Sequence, residues 1–382
     1  MSVTDLRRPA PAPPVCLADV ERLARPLVPG DVWDFVQGGS GGERTLAANR
    51  AALDDIAVVP GVLRGVGTPS TRTRLVASDA ALPVAIAPMA YQQLLHSGGE
   101  SATAAAARAA DVPFTVGMLS STALEEVART GAALWFQLYW LADRGELLDL
   151  VRRAESCGCR ALVVTVDVPI MGRRLRDLRN EFTLPSGVRA ANLGGSPSQA
   201  HGRVPGGSAI ADHSRAVFDP AVSWSDLEWL RGQTSLPLIV KGVLGGADAA
   251  RAAACGAEAV VVSNHGGRQL DGAPASATVL PEVVEAVPEG CEVLLDSGVR
   301  SGTDILRALA LGASGVLVGR PVLWGLALDG AAGVEQVLSL LHREFADCLT
   351  LAGCADPREA GRLRTITGPR GVDRRGAGRR GH

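Results

Sequence analysis

Residues 236–272 read L-P-L-I-V-K-G-V-L-G-G-A-D-A-A-R-A-A-A-C-G-A-E-A-V-V-V-S-N-H-G-G-R-Q-L-D-G. An apolar run, Leu236–Gly242, ends in Lys241. An alanine-rich stretch with a helical pattern, 246–255, follows, and a second apolar run, Ala257–His265, ends in Ser263, Asn264 and His265. Short runs that are apolar on consecutive residues describe strands buried on both faces. Strands of that kind alternating with helices predict a parallel sheet.

The same unit recurs in both directions. Apolar runs lie at Leu82–Pro88, Pro113–Leu119, Leu134–Trp140, Ala161–Asp167, Glu292–Gly298 and Gly315–Pro321, which with the first two makes eight. Helical patterns fit between them at 98–110, 122–130, 144–157, 224–233, 278–287 and 302–311, and a last one at about 330–353 closes the series. Eight units predict an α/β fold of the closed (β/α)8 TIM barrel type, with an open doubly wound sheet as the alternative. Residues 17–55 read as two or three extra N-terminal helices, placed to cap the barrel's bottom or side. Residues 186–218, rich in Gly, Ser, Ala and Pro, form a long loop after strand four, of a length usual for an active-site lid. Residues 1–16 read as a disordered leader and 369–382 as a disordered basic tail, which leaves 17–368 as a single barrel domain.

Composition narrows the function. A formal net charge of −2 gives no pull toward nucleic acid or a membrane surface. No apolar stretch reaches the roughly 18 to 20 residues that span a bilayer, and the Pro-rich N-terminus lacks the apolar run of a secretory signal. The seven cysteines are scattered, and the C-x-C at Cys157 and Cys159 matches neither a zinc nor a redox spacing, so no metal site is read. Reduced thiols in a cytoplasmic protein are the expectation. Lys241 is the single lysine among 38 lysines and arginines. A compact ammonium in a tight pocket is a role arginine does not fill; chance survival of one codon is the alternative.

In a parallel barrel the C-terminal strand ends line the active site. Strand one ends in Pro88, Met89, Ala90 and Tyr91. Strand three supplies Gln137 and Tyr139, and strand four Thr165 and Asp167, followed by Arg173 and Arg174. Strand five ends in Lys241, and strand six in Ser263-Asn264-His265-Gly266-Gly267-Arg268. Strand seven ends in Asp296-Ser297-Gly298-Val299-Arg300, and strand eight in Gly319 and Arg320. The glycine pair after His265 permits a sharp turn that aims His265 and Arg268 into the mouth. Histidine takes a proton near neutral pH, and arginine clamps a carboxylate. A buried Asp167 calls for a cationic partner, with His265 a candidate and a nearby arginine or a helix cap the alternatives. The loops after strands seven and eight are where many barrels bind phosphate. No G-x-G-x-x-G loop follows an early strand, which argues against a nicotinamide-binding Rossmann domain.

These residues resemble the FMN-dependent 2-hydroxy-acid oxidase and dehydrogenase family, whose members include glycolate oxidase, lactate oxidase and mandelate dehydrogenase. The likeness runs from about residue 17 to about 355. It rests on S-N-H-G-G-R-Q-L-D at 263–271, supported by V-K-G at 240–242, T-V-D-V-P at 165–169, F-Q-L-Y at 136–139 and D-S-G-V-R at 296–300. The segments W-F-Q-L-Y-W-L (135–141), M-G-R-R-L-R-D-L-R-N (171–180) and A-Y-Q (90–92) are most similar to the hydroxymandelate-oxidising branch.

The resemblance implies FMN as cofactor, oxidation of an (S)-2-hydroxy acid, mandelate or 4-hydroxymandelate, to the 2-oxo acid, and dioxygen as the acceptor giving hydrogen peroxide. It implies a homo-oligomer, a tetramer in many relatives. His265 is then the base, taking the hydroxyl proton or, alternatively, the α-proton, with Asp167 stabilising its protonated form. Arg268 and Arg174 hold the substrate carboxylate, and Tyr139 hydrogen-bonds the substrate. Lys241 sits by the flavin, while Pro88, Met89 and Ala90 run along its face. Gln137, Thr165 and Ser263 bond the ring or ribityl chain. Asp296, Ser297, Gly298, Val299 and Arg300, with Gly319 and Arg320, take ribityl and phosphate.

Three positions depart from the family pattern. Phe35 stands where many members have tyrosine, which favours an aromatic substrate. Phe35, Tyr91 and Trp140 are candidates for an aromatic pocket. Gly117 replaces a serine after strand two, leaving only backbone for a flavin contact, and Ser297 replaces the first glycine of D-G-G-V-R. A flavin dehydrogenase using another acceptor, a non-redox flavin isomerase and a flavin-free phosphate-binding barrel are the competing readings.

Overall fold

The computed structural model describes residues 13–194, 211 and 215–368. Most of the expected leader (1–16), most of the long loop after strand four and the basic tail fall on 1–12, 195–210, 212–214 and 369–382, outside the described residues.

Eight parallel strands close into a barrel: β1 Val84–Ile86, β2 Phe114–Gly117, β3 Leu134–Leu138, β4 Ala161–Thr165, β5 Leu238–Val243, β6 Ala259–Val262, β7 Glu292–Leu295 and β8 Gly315–Val318. Neighbours follow chain order, and β8 pairs with β1 to close the ring. Seven of the runs read from the sequence hold one of these strands, and β5 ends one residue past its run, at Val243. The helices between them also lie where the pattern predicts, as in α9 Gly246–Ala254 between β5 and β6.

Alternation along each strand divides the core in two. Ala85, Trp135, Ala161, Val163, Ile239, Ala259, Val261, Leu294 and Leu317 fill the barrel interior. The residues between them, such as Phe136, Leu162, Val240 and Val260, face the surrounding helices. One tryptophan among several alanines lets side chains of unequal size fill a closed interior without a pore. An antiparallel pair, Thr73–Leu75 with Ser78–Ala80, adds Leu75 and Ala80 to this interior, and the Trp135 indole N–H donates to Ser78 Oγ at 3.0 Å.

One feature differs from the expectation. Of the two places expected for the N-terminal helices, the barrel's bottom and its side, α1 Leu17–Ala24 takes the side, against the helical stretch Arg320–Ala352, while α2 Gly30–Gln37 and α3 Arg44–Asp54 take neither. Carbonyls at the end of α2 accept from Arg268 and Arg320, and Asn49 of α3 bonds Asn264, so α2 and α3 pack on the C-terminal mouth. Pro321 opens a helical turn directly after β8; the helical stretch Arg320–Ala352 is broken by the non-helical backbone of Asp329 and Gly330, and the part that runs on to Ala352 is the last helix expected at about 330–353. Among the described residues no helix is long and apolar enough to cross a membrane.

Candidate active site

A strand places alternate side chains on one face. In β3 the inward series Trp135, Gln137 continues to Tyr139; in β4 Ala161, Val163 continues to Thr165; in β5 Ile239 continues to Lys241. The same step leads to Ser263 beyond β6 and Asp296 beyond β7. A polar layer thus lies directly above the apolar fill. Gln137 donates to Thr165 Oγ1 at 3.1 Å and accepts from the Met118 N–H at 3.3 Å, while Thr165 and Lys241 are register partners. Lys241, 3% exposed, donates to Ser263 Oγ at 3.0 Å and pairs with Asp296 Oδ2 at 3.0 Å. Burial opposes its charge, but Asp296 and Asp167 outweigh burial and hold its pKa above the ordinary value, so Lys241 stays a cation.

His265 sits at φ +59, followed by Gly266 at +66 and Gly267 at +75. Only glycine fits at 267, where a Cβ would lie 2.6 Å from the Leu46 backbone. The turn brings His265 Nδ1 to 3.0 Å from Asp167 Oδ1. Gly242 in turn makes room for Asp167, whose Cβ would stand 2.6 Å from a Cβ at 242. Burial pushes the His265 pKa down, and Lys241 and Arg174 add to this; the adjacent Asp167 only partly offsets them. The resting ring is therefore neutral. Burial works against the Asp167 carboxylate, but His265 and Lys241 together hold its pKa below the ordinary value. An ionised carboxylate only accepts, so Nδ1 carries the proton and Nε2 is left as the acceptor.

One cavity at the mouth is lined by His265, Lys241, Tyr139, Arg174, Arg268, Phe35, Tyr91, Pro88, Met89 and Ala90, and also by Asp296, Ser297, Gly298, Val299, Arg300, Gly319 and Arg320. Gly117, Gln137, Thr165 and Ser263 lie outside this lining. Asp167 lines a neighbouring cavity with Ser263 and Asn264. Tyr139 stacks on Phe218 at 4.8 Å, and burial followed by Asp167 raises its pKa, keeping the phenol protonated. Both tyrosines of the chain and its only lysine thus face one space.

The arginines here are held by backbone rather than by carboxylates. Arg268 donates to the carbonyls of Phe35 (2.8 Å) and Gly38 (2.8 Å), and Arg320 to those of Val36 (3.0 Å) and Gly266 (3.1 Å). Arg300 donates to Val299 O at 2.8 Å and lies 5.0 Å over Trp324. Burial and neighbouring cations lower Arg268 well below its usual range and Arg320 to about 9, while burial takes Arg300 to about 10. Arg174 and Arg268 lie 5.7 and 5.4 Å over the Phe35 ring, which stacks on Phe182 at 4.7 Å. Partly buried cations that the nearby carboxylates, Asp177 beside Arg174 and Arg268 and Asp304 beside Arg300, only partly offset fit an anionic ligand. Arg300 and Arg320, beside the 297–299 turn, suit a phosphate. Arg174, whose Nε is buried without a partner among the described residues, and Arg268 suit a carboxylate. With the apolar ledge Ala87–Ala90, these groups fit FMN and an acid substrate together.

Trp140 is not part of this space. It points outward and packs edge-on against Trp229 at 6.1 Å. The strand alternation itself carries that signal, since Trp140 follows the inward Tyr139. Sequence reasoning missed the apolar wall of Leu94, Leu95, Met171 and Phe218, because apolar loop residues carry no chemical signature. It also missed Gln269, whose amide donates to Asp167 O at 2.8 Å.

The whole-chain comparisons agree with this geometry. A model of the FMN-dependent dehydrogenase family matches residues 24–366. The chain is 54% identical to 4-hydroxymandelate oxidase of Amycolatopsis orientalis, covering 93% of this chain and 99% of that one. It is 47% identical to L-lactate oxidase of Nostoc sp. (90% and 95%) and 42% identical to 2-hydroxyacid oxidase 1 of Homo sapiens (89% and 93%). The crystal structure of mandelate oxidase with (S)-4-hydroxymandelic acid superposes with a TM-score of 0.91 at 54% identity, over 93% of this chain and 99% of that one. The chain belongs to the FMN-dependent dehydrogenase family.

Proposed function

We propose that this chain oxidises an aromatic (S)-2-hydroxy acid, mandelate or 4-hydroxymandelate, to the 2-oxo acid, with dioxygen as final acceptor and hydrogen peroxide as product. The observation that carries the reading is the neutral His265, fixed by Asp167 at 3.0 Å, facing a cavity that four half-buried arginines also line. Arg174 and Arg268 hold the substrate carboxylate. The Tyr139 phenol donates a hydrogen bond beside it. His265 Nε2 takes the proton, and Asp167 then stabilises the imidazolium. Pro88, Met89, Ala90, Gly117, Gln137, Thr165 and Ser263 are the contacts for the flavin ring and ribityl chain; Asp296, Gly298, Val299 and Arg300, with Ser297 by its backbone alone, and Gly319 and Arg320 serve ribityl and phosphate. When bound, FMN supplies the two-electron acceptor. Lys241 presents a fixed cation to the charge that builds up there.

Residues 17–368 act as one domain in this reading. The seven free thiols support a cytoplasmic setting, and a homotetramer follows from the likeness to the family.

The test is anaerobic reduction with (S)-mandelate, 4-hydroxymandelate, lactate and glycolate, followed by peroxide assay in air. Loss of the flavin colour fastest with the aromatic acids, and one peroxide per turnover, are expected. No reduction by any of the four overturns the proposal, and reduction without peroxide reassigns the chain as a dehydrogenase. A second expectation concerns selectivity. Phe35 presents an aromatic face to the cavity, and an aromatic contact is worth about 1 kcal/mol, or about fivefold. Phe35→Ala should therefore lower the ratio of kcat/KM for mandelate over lactate about fivefold, while peroxide yield stays the same.

A further inference from the structure

We propose that Ser297 is a positioning residue whose hydroxyl ties the left-handed turn carrying His265 to the Lys241–Asp296 ion pair. Three successive backbone N–H groups of that turn are each taken by a side-chain oxygen. His265 N–H donates to Ser263 Oγ, Gly266 N–H to Ser297 Oγ and Gly267 N–H to Asn264 Oδ1, each at 3.0 Å. Ser263 and Asn264 belong to the same segment as the turn. Ser297 comes from the end of β7, so of these three acceptors it alone reaches the turn from a different stave.

The hydroxyl also donates to Asp296 Oδ1 at 2.7 Å. The other carboxylate oxygen holds Lys241, and Lys241 donates to Ser263 Oγ. A closed circuit results: Lys241, Asp296, Ser297, the turn, Ser263 and back to Lys241. The base and the buried cation are set by the same hydrogen bonds. Backbone at 297 makes the case sharper. Ser297 has φ +75, a conformation glycine adopts freely and serine only under strain. Glycine would relieve that strain, so the serine is accounted for by what its hydroxyl does.

The sequence expectation was a cofactor contact at Ser297. A positioning role predicts a different result: a lower maximal rate with unchanged FMN affinity. This inference rests on His265 being the base. Ser297→Gly and Ser297→Ala are compared with the parent and with His265→Ala. The readouts are stopped-flow reduction by (S)-mandelate, FMN titration and hydrogen exchange of the Gly266 amide. Both serine variants should reduce the flavin about tenfold more slowly, because small misplacements of reacting groups are costly. KM and FMN affinity should stay within about twofold, and Gly266 should exchange faster. Ser297→Gly, freed of strain, should keep the parental Tm, so its slower rate does not report misfolding. A parental rate with unchanged exchange in Ser297→Gly overturns the inference. So does weakened FMN binding with an unchanged rate at saturation. A near-parental rate in His265→Ala instead removes the base assignment, and the positioning role falls with it.

Discussion

His265→Ala is expected to retain FMN and to lower the rate of its reduction by substrate about 10²–10⁴-fold, the usual contribution of a positioned base. FMN should stay because the phosphate and ring contacts proposed here lie on other residues. The loss should be large because the ring is already in its reactive form. Burial and the neighbouring cations hold the His265 pKa below its ordinary 6.5, and Asp167 fixes the proton on Nδ1. The pH profile follows in sign. Protonated imidazole is inactive, so kcat/KM should rise with pH along an acid limb lying below the ordinary histidine value, and then level off. Asp167→Asn removes the group that raises this pKa, so the limb should move further down while the maximal rate falls. An acid limb above 6.5 in the parent, or near-parental reduction in His265→Ala, overturns the assignment.

The barrel and the membership of its polar layer were legible because both follow from a period of two. Once a strand is placed, Trp135, Gln137 and Tyr139 must share a face, and so must Ile239 and Lys241. The His265 turn was legible because glycine adopts the left-handed backbone of Gly266 and Gly267 more readily than any other residue. What lies over the mouth was not. No local pattern says that the carbonyls of Phe35, Val36 and Gly38, at the end of α2, will receive Arg268 and Arg320 from more than 200 residues away, so the reading placed α2 and α3 at the barrel's bottom or side instead of over its mouth. Ser297 was read as a cofactor contact that departs from the family's glycine. Its compensating bonds to Gly266 and Asp296 join two strand ends, and that adjacency exists only in the closed barrel. Trp140 shows the opposite error, a residue whose identity suggested a pocket while its position in the alternation pointed outward.

Lys241→Met should produce two separable losses. The first is stability. The ammonium is 3% exposed and pairs with Asp296 at 3.0 Å. Removing one partner of a buried pair strands the other charge, at about 3–5 kcal/mol, readable by urea unfolding. The second is rate. A fixed cation aimed at developing charge in a dry site is worth about 10²–10³-fold, readable as flavin reduction at saturating substrate. Adding Asp296→Asn separates them. The stranded charge is then gone, and the amide oxygen can still accept from Ser297, so most of the stability should return while the rate stays low. Lys241→Arg should not rescue either. A branched guanidinium in a pocket built for one nitrogen overpacks by about 1–3 kcal/mol and cannot meet Ser263 and Asp296 with the same geometry. That outcome would explain why a chain so rich in arginine keeps one lysine here. If the Met/Asn pair recovers rate along with stability, Lys241 only balances Asp296, and the cation has no part in the chemistry.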